Sequence, residues 1–221
     1  MSAAARIASV PDVSVLRTRD AERTRQQILR AATTEFADHG LGGARIDAIA
    51  QRAGINKRLI YYYFGAKDDL FLAVLERTYA DIREAEAELH LEDVPPAEAV
   101  RMLITFTWEH YIAHPEFLSL LNSENLHRAR HLKGSPRILK VNSPVIETLA
   151  GVLERGRRDG LFRGGVDPVQ LYISIAGLAY FYLSNQHTLS SVFGRDLMTP
   201  KGYSERLSHM CEVILGYLFR D

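Results

Sequence analysis

Residues 46–70 read IDAIAQRAGINKRLIYYYFGAKDDL, and their spacing decides how the rest of the chain is read. Ile46, Ile49 and Ala50 stand three and four apart, which is one apolar face of a short helix over 45–53. Gly54 breaks that helix. Asn56 suits the N-cap of a second helix over 57–64, because its side-chain oxygen can accept an orphan N–H of the first turn. Gly65 ends the second helix. The connection, Ala53-Gly54-Ile55, is short and small, and Ile55 and Ile60 continue the apolar side. Two helices joined this way can lay the second in the DNA major groove while the first braces it across the backbone. The outward side of the second helix offers donors to phosphates and base edges: Lys57, Arg58, Tyr61 and Tyr62. Three consecutive tyrosines alone would suit half-buried scaffold. Asn56-Lys57-Arg58 before them and Lys67 after them turn the reading to DNA contact.

Upstream, a helical pattern runs from Asp20, with Ile28, Ala32 and Phe36 recurring every four residues and Leu29 beside them. Gly40 stops it and Gly42-Gly43 make a turn. Residues 1–20 lack periodicity and are read as a flexible N-terminal arm, a solvated tail in which Arg17 and Arg19 could also reach a minor groove. Downstream, Lys67 begins a long helix to about residue 89. Leu70, Phe71, Val74, Leu75 and Thr78 are its apolar stripe, and Glu84, Glu86 and Glu88 its polar continuation. Pro95-Pro96 marks a boundary. Helices follow over 97–113 (buried on Met102, Leu103, Phe106 and His110), from Pro115, from 136 to about 159, over 168–186 and over about 203–219. No alternating strand pattern and no repeat occurs. The expected fold is all-α with about nine helices. A helix-turn-helix domain spans 21–66, and a six-helix ligand-binding and dimerisation domain spans 67–221, joined through the helix over 67–89.

Charge follows the same division. Residues 1–67 hold eleven Lys/Arg and six Asp/Glu, a net +5, while residues 68–221 hold sixteen against twenty-one, a net −5. A positive head on an acidic body attracts phosphate with one end only. The single cysteine, Cys211, excludes an internal disulfide and a cysteine zinc knuckle and suits a reducing cytoplasm. No stretch approaches the roughly 18 apolar residues of a membrane span. The opening MSAAARIASVPDVS has no continuous apolar core and is not read as a secretory signal.

The quoted segment resembles the helix-turn-helix signature of the TetR family of bacterial regulators, followed by the start of that family's connecting helix. The run Tyr61-Tyr62-Tyr63-Phe64 with Lys67 and Leu70 carries the resemblance. The preceding helix with Ala31, Phe36 and Gly40, the chain length, and Val166-Asp167-Pro168 after a Gly-rich loop agree with it. The second half is similar in general pattern to regulators of heteroaromatic catabolism, the pyrimidine-utilisation and nicotinate-degradation repressors. The resemblance implies a DNA-binding transcriptional regulator, a repressor released from a palindromic operator by a small-molecule effector. An activator, or a regulator without effector, is the alternative. It also implies contacts from Arg45 to phosphate or base, from Asn56, Lys57 and Arg58 at the recognition helix's N-terminal end, from Tyr61, Tyr62 and Tyr63 to sugar-phosphate, and from Lys67 to phosphate at the next helix's N-terminus. Phe64 is expected in the core. Two positions depart from the family pattern. Arg58 stands where a small residue is common and could add a guanine contact. Ala44 stands where Thr or Ser is common, so the bracing helix lacks its hydroxyl cap.

The helix over 168–186 is apolar on every side and needs partners on every side. With the helix over 203–219 it could form a two-fold, four-helix homodimer interface. Aromatic residues mixed with isolated polar groups nominate an effector pocket: Trp108, Tyr111, Phe117, Tyr172 and Tyr180, with Asn122, Asn125 and Glu124. Such a pocket admits an aromatic effector. His110/His114 and His127/His131 have the i, i+4 spacing that can hold a metal, but no cysteine or H-E-x-x-H order accompanies them, so neither a metal nor a cofactor is expected. No phosphate loop and no nucleophile–His–acid set supports an enzyme.

Overall fold

The computed structural model describes residues 13–219 of the 221. The chain divides into two compact units, one up to Ala73 and one from Val74 onward. Ten α-helices form among the described residues: α1 (Val13–Gly43), α2 (Ile46–Ala53), α3 (Lys57–Phe64), α4 (Lys67–Ala87), α5 (Pro96–Ala113), α6 (Pro115–Leu126), α7 (Pro136–Arg158), α8 (Pro168–Ser184), α9 (Gln186–Phe193) and α10 (Pro200–Leu218). Two antiparallel residues, Phe162 and Phe219, form an isolated bridge, and no strand occurs among the described residues. The all-α expectation holds.

Three differences from the sequence expectation have local causes. The first helix begins at Val13 rather than Asp20, because no glycine or proline interrupts the chain between Val13 and His39. The remainder of the expected arm, residues 1–12, and the side chains of Arg17 and Arg19 lie outside what is described. Gly40 leaves helical geometry as expected (φ 64°, ψ 174°), yet one further turn follows it through Gly43. The extra helix is α9, whose sequence QHTLSSVF has too few apolar positions to reveal a period.

In the first unit, Ile28, Ala32 and Phe36 of α1 are fully buried with Ile49, Ile60, Leu70 and Phe71. Phe36 and Phe71 meet edge to face at 5.1 Å. Gly54 adopts the left-handed conformation (φ 65°), which a side chain would strain, and lets the Ile55 N–H donate to the Ala50 carbonyl at 3.0 Å. This closes α2 and aims α3 away from it.

In the second unit, α5 is central and packs against α7, α8 and α10. Its buried stripe is Val100, Leu103, Ile104, Thr107, Trp108 and Tyr111, rotated from the expected Met102, Phe106 and His110, which are only half-buried. Three covering helices bury more of α5 than a single-faced pattern implies. The chain after α7 folds back so that Phe162, 1% exposed, packs on Gly156, whose carbonyl accepts the N–H groups of Leu161 and Phe162.

Candidate functional site

The helix-turn-helix is assembled by hydrogen bonds that its own sequence only partly supplies. Asn56 caps α3 as expected, its Oδ1 accepting the Arg58 N–H at 2.9 Å. The N-cap of α2 is Arg45 rather than Ala44, and no side chain caps it; the tie at this end comes from another helix. Glu35 of α1, buried, accepts the Arg45 N–H at 3.1 Å at the head of α2. Arg52, from the last turn of α2, lies 3.9 Å from the same carboxylate. One side chain thus ties both ends of α2 to α1.

Ile60 and Phe64 point α3 inward, and Phe64 lies under the Arg25 guanidinium at 4.6 Å. The opposite face is left in water: Arg45, Asn56, Lys57, Arg58, Tyr61 and Tyr62 are exposed, with Tyr62 at 80%. Tyr63 and Lys67 are half-buried. Tyr63 meets Tyr62 edge to face at 5.1 Å.

Two acidic groups enter this surface unannounced by the motif. Asp47 of α2 holds the Lys57 ammonium at 2.9 Å, and this hydrogen bond raises the pKa of the lysine. Asp69 accepts the Ala66 N–H at 2.9 Å, so one donor at the head of α4 is already used beside Lys67. A phosphate approaching Lys57 also faces the Asp47 carboxylate, which offsets part of the lysine's charge. Asp47→Asn is therefore expected to tighten DNA binding roughly threefold at low salt, the gain fading as salt screens the charges. Retardation titrations at two salt concentrations check this.

In the second unit, the residues expected to line a pocket separate into groups. Trp108 is buried against Tyr182 and Tyr203, with centroids at 5.6 and 5.8 Å. Asn122 and Asn125 are exposed; Asn122 Oδ1 accepts from the Tyr180 hydroxyl, and Asn125 bonds its own helix. Glu124 is buried and accepts the N–H groups of His131 and Leu132 at 2.9 and 3.1 Å, with His131 Nδ1 at 2.6 Å, pinning the segment after α6. Tyr111 and Phe117 do come together with Tyr79: Tyr111 stacks on Phe117 at 5.4 Å, and Tyr79 meets Phe117 at 5.6 Å, while Tyr172 meets Arg83. The His110 and His114 rings lie 4.4 Å apart, and burial pushes His110 down to about 4, so it stays neutral.

At the edge of this aromatic cluster are two charged residues, Glu86, which the sequence placed on a polar face, and Arg83, which it did not single out. Arg83 and Glu86 of α4 are buried, 8% and 5% exposed, with Arg83 Nη1 2.7 Å from Glu86 Oε2. Arg83 Nη2 donates to the Tyr172 hydroxyl, and the guanidinium lies 5.2 Å from that ring. The i, i+3 spacing of Arg83 and Glu86 was the available signal. Both line a cavity of about 440 Å³ between α4 and α7, walled by Ala80, Leu91, Val141 and Val145.

Burial pushes the Glu86 carboxyl up to about 7, against the opposing pull of Arg83. Folding thus favours its protonated form. Its contribution to stability is fully present below about pH 4.5 and is lost as pH rises through about 7. The half-buried His110 has the opposite slope, so the test is a difference between proteins. Glu86→Gln should gain roughly 3 kcal/mol on the wild type between those limits, read from urea midpoints across the range.

A basic, tyrosine-bearing helix presented by a three-helix unit, on a chain whose helical body carries a cavity beside α4 and α7, defines a helix-turn-helix transcriptional regulator. The chain belongs to the TetR family of bacterial regulatory proteins. Residues 28–74 match that family's N-terminal domain, and residues 96–214 match the tetracyclin repressor-like C-terminal domain. The transcriptional repressor NicS of Pseudomonas putida is 40% identical over 93% of this chain and 97% of its own length. The regulator RutR of Escherichia coli is 26% identical over 90% and 92%. Among solved structures, the Streptomyces coelicolor regulator SCO4942 superposes with a TM-score of 0.64 at 26% identity, over 90% of this chain and 99% of that one. No described helix is long and apolar enough to cross a membrane.

Proposed function

We propose that this regulator is a homodimeric repressor that occupies a palindromic operator and is released by a small-molecule effector. The observation that carries the DNA reading is the water-facing side of α3, where Lys57, Arg58, Tyr61 and Tyr62 stand out from a helix otherwise committed to the core. Arg58 and Tyr61 reach base edges. Arg45, Asn56, Lys57, Tyr62, Tyr63 and Lys67 hold the backbone. Similarity to a protein named a repressor along nearly its whole length favours repression over activation.

Dimerisation uses α8 and α10. Ile173 and Phe181 of α8 and Val213 and Tyr217 of α10 are exposed, and an apolar groove of about 600 Å³ runs between the helices. A second copy would cover this surface by a two-fold axis and set two recognition helices about one DNA turn apart, roughly 34–36 Å. The effector acts only by binding the released conformation better than the DNA-bound one. The purified protein, in the cytoplasm's reducing conditions, should retard its own promoter region, with affinity falling steeply as salt rises. Failure to retard any genomic fragment would sink the proposal.

A further inference from the structure

Arg83 and Glu86 are close but poorly matched. Although Nη1 and Oε2 lie 2.7 Å apart, neither atom makes an aligned hydrogen bond, and Arg83 Nε has no acceptor either. Three buried polar atoms of residues that border a cavity therefore lack a hydrogen-bond partner, and a ligand meets them once these side chains turn toward it, whereas buried polar groups are normally satisfied. The charges do not balance near neutrality. Arg83 stays charged at any accessible pH, while Glu86, pushed up to about 7, is protonated in about half of the molecules at that pH. A buried cation whose neighbouring carboxyl is neutral half the time favours a further anionic partner. Ala80, Leu91, Val141 and Val145 form an aliphatic part of the wall, and Glu84, Glu92, Arg137 and Thr148 also line the cavity.

We propose that the cavity between α4 and α7 binds a small organic monocarboxylate with an apolar body, its carboxylate seated on Arg83 and Glu86, as the effector. The inference rests on the effector-released reading above. The carboxylate accepts from Arg83 Nε and Nη1 and from the O–H of protonated Glu86, and the apolar body fills the aliphatic part of the cavity. Binding an anion next to Glu86 takes up a proton there, so affinity falls as pH rises above about 7. The groups acting on Glu86 do not obscure this. Arg83 of its own helix is the cation beside it, and Arg137 of α7 lies elsewhere on the cavity lining, paired with Glu76. Tyr172 of α8 and Tyr111 of α5 are lifted by burial and stay neutral, and His110 beside Arg83 is neutral as well. Glu84 and Glu92 at the cavity rim are exposed.

The test uses the full-length protein on retarded promoter DNA, with hexanoate, benzoate and phenylacetate compared against hexanamide, benzamide, phenylacetamide and benzylamine. At least one acid should raise the thermal midpoint and release DNA at a concentration at least about tenfold below that of its amide. Arg83→Lys should abolish that preference. Glu86→Gln, which keeps the wall intact should Arg83→Lys fail to fold, should bind the acid with a flat pH profile, where the wild type weakens up to about tenfold per pH unit above 7. Amides or benzylamine acting as well as the acids, an acid response indifferent to both substitutions, or no response to any acid at millimolar concentration would overturn the assignment. DNA binding without ligand is read in the same assay, so failure of the regulator reading is distinguished from failure of the ligand class.

Discussion

Arg58→Ala combined with Tyr62→Ala is expected to weaken operator binding by about 100-fold while leaving the thermal midpoint unchanged. The two side chains are spent on the surface. Tyr62 is 80% exposed, and the Arg58 side chain has no hydrogen bond or ion pair among the described residues. Neither supports Ile60 or Phe64, which hold α3 in place. A bidentate guanine contact contributes roughly 1–3 kcal/mol of discrimination. Loss of it together with a sugar-phosphate contact gives the combined figure. The single changes should differ in kind. Arg58→Ala should relax sequence preference, and Tyr62→Ala should weaken all sequences alike. Retardation of operator and scrambled DNA separates the two. Unchanged affinity in the double variant would show that α3 does not read DNA.

Gly156→Ala is expected to destabilise the protein by about 3 kcal/mol or more, lowering the thermal midpoint by roughly 6–12 °C. The sign is diagnostic. A glycine-to-alanine change within a helix ordinarily gains up to about 1 kcal/mol. Here the new Cβ would lie 2.0 Å from Cδ2 and 2.5 Å from Cε2 of Phe162, whose ring is almost fully buried. The ring cannot yield easily, because its backbone is fixed on both sides. Its N–H is bonded to the Gly156 carbonyl, and the next residue, Arg163, donates to the Leu218 carbonyl at 2.8 Å. Phe162→Leu in the Gly156→Ala background should recover part of the loss by removing the ring edge that the methyl meets. Calorimetry of the three proteins checks this, and a stabilised Gly156→Ala would refute the packing account.

Both effects arise where residues distant in sequence meet, and this also marks how far the sequence could be read. The recognition unit was legible because its determinants are local. The i, i+3 and i, i+4 spacing of Ile46, Ile49 and Ala50, the left-handed turn that Gly54 permits and the Asn56 cap all act within a few residues. So did the donors of α3, since exposure follows from being opposite Ile60 and Phe64 on one short helix. What closes the head of α2 was not legible. Glu35 lies ten residues before the N–H it accepts, and only the packing of α1 on α2 brings them together. Asp47 pairs with Lys57 across the turn for the same reason.

The body was harder. Periodicity gives a helix and its apolar side, but not how many neighbours cover it. Hence Glu86 read as part of a polar face, whereas it is buried beside Arg83. The residues expected together as a pocket are separated by tertiary packing, which sends Trp108 to one cluster and Tyr111 and Phe117 to another and leaves Asn122 and Asn125 at the surface. By itself the sequence determined the fold class and the helix-turn-helix, because local backbone preferences and a single amphipathic face fix both. The tertiary structure alone decided which charges are buried and left unmatched beside a cavity, because desolvation depends on every element packed around a group and not on its neighbours along the chain.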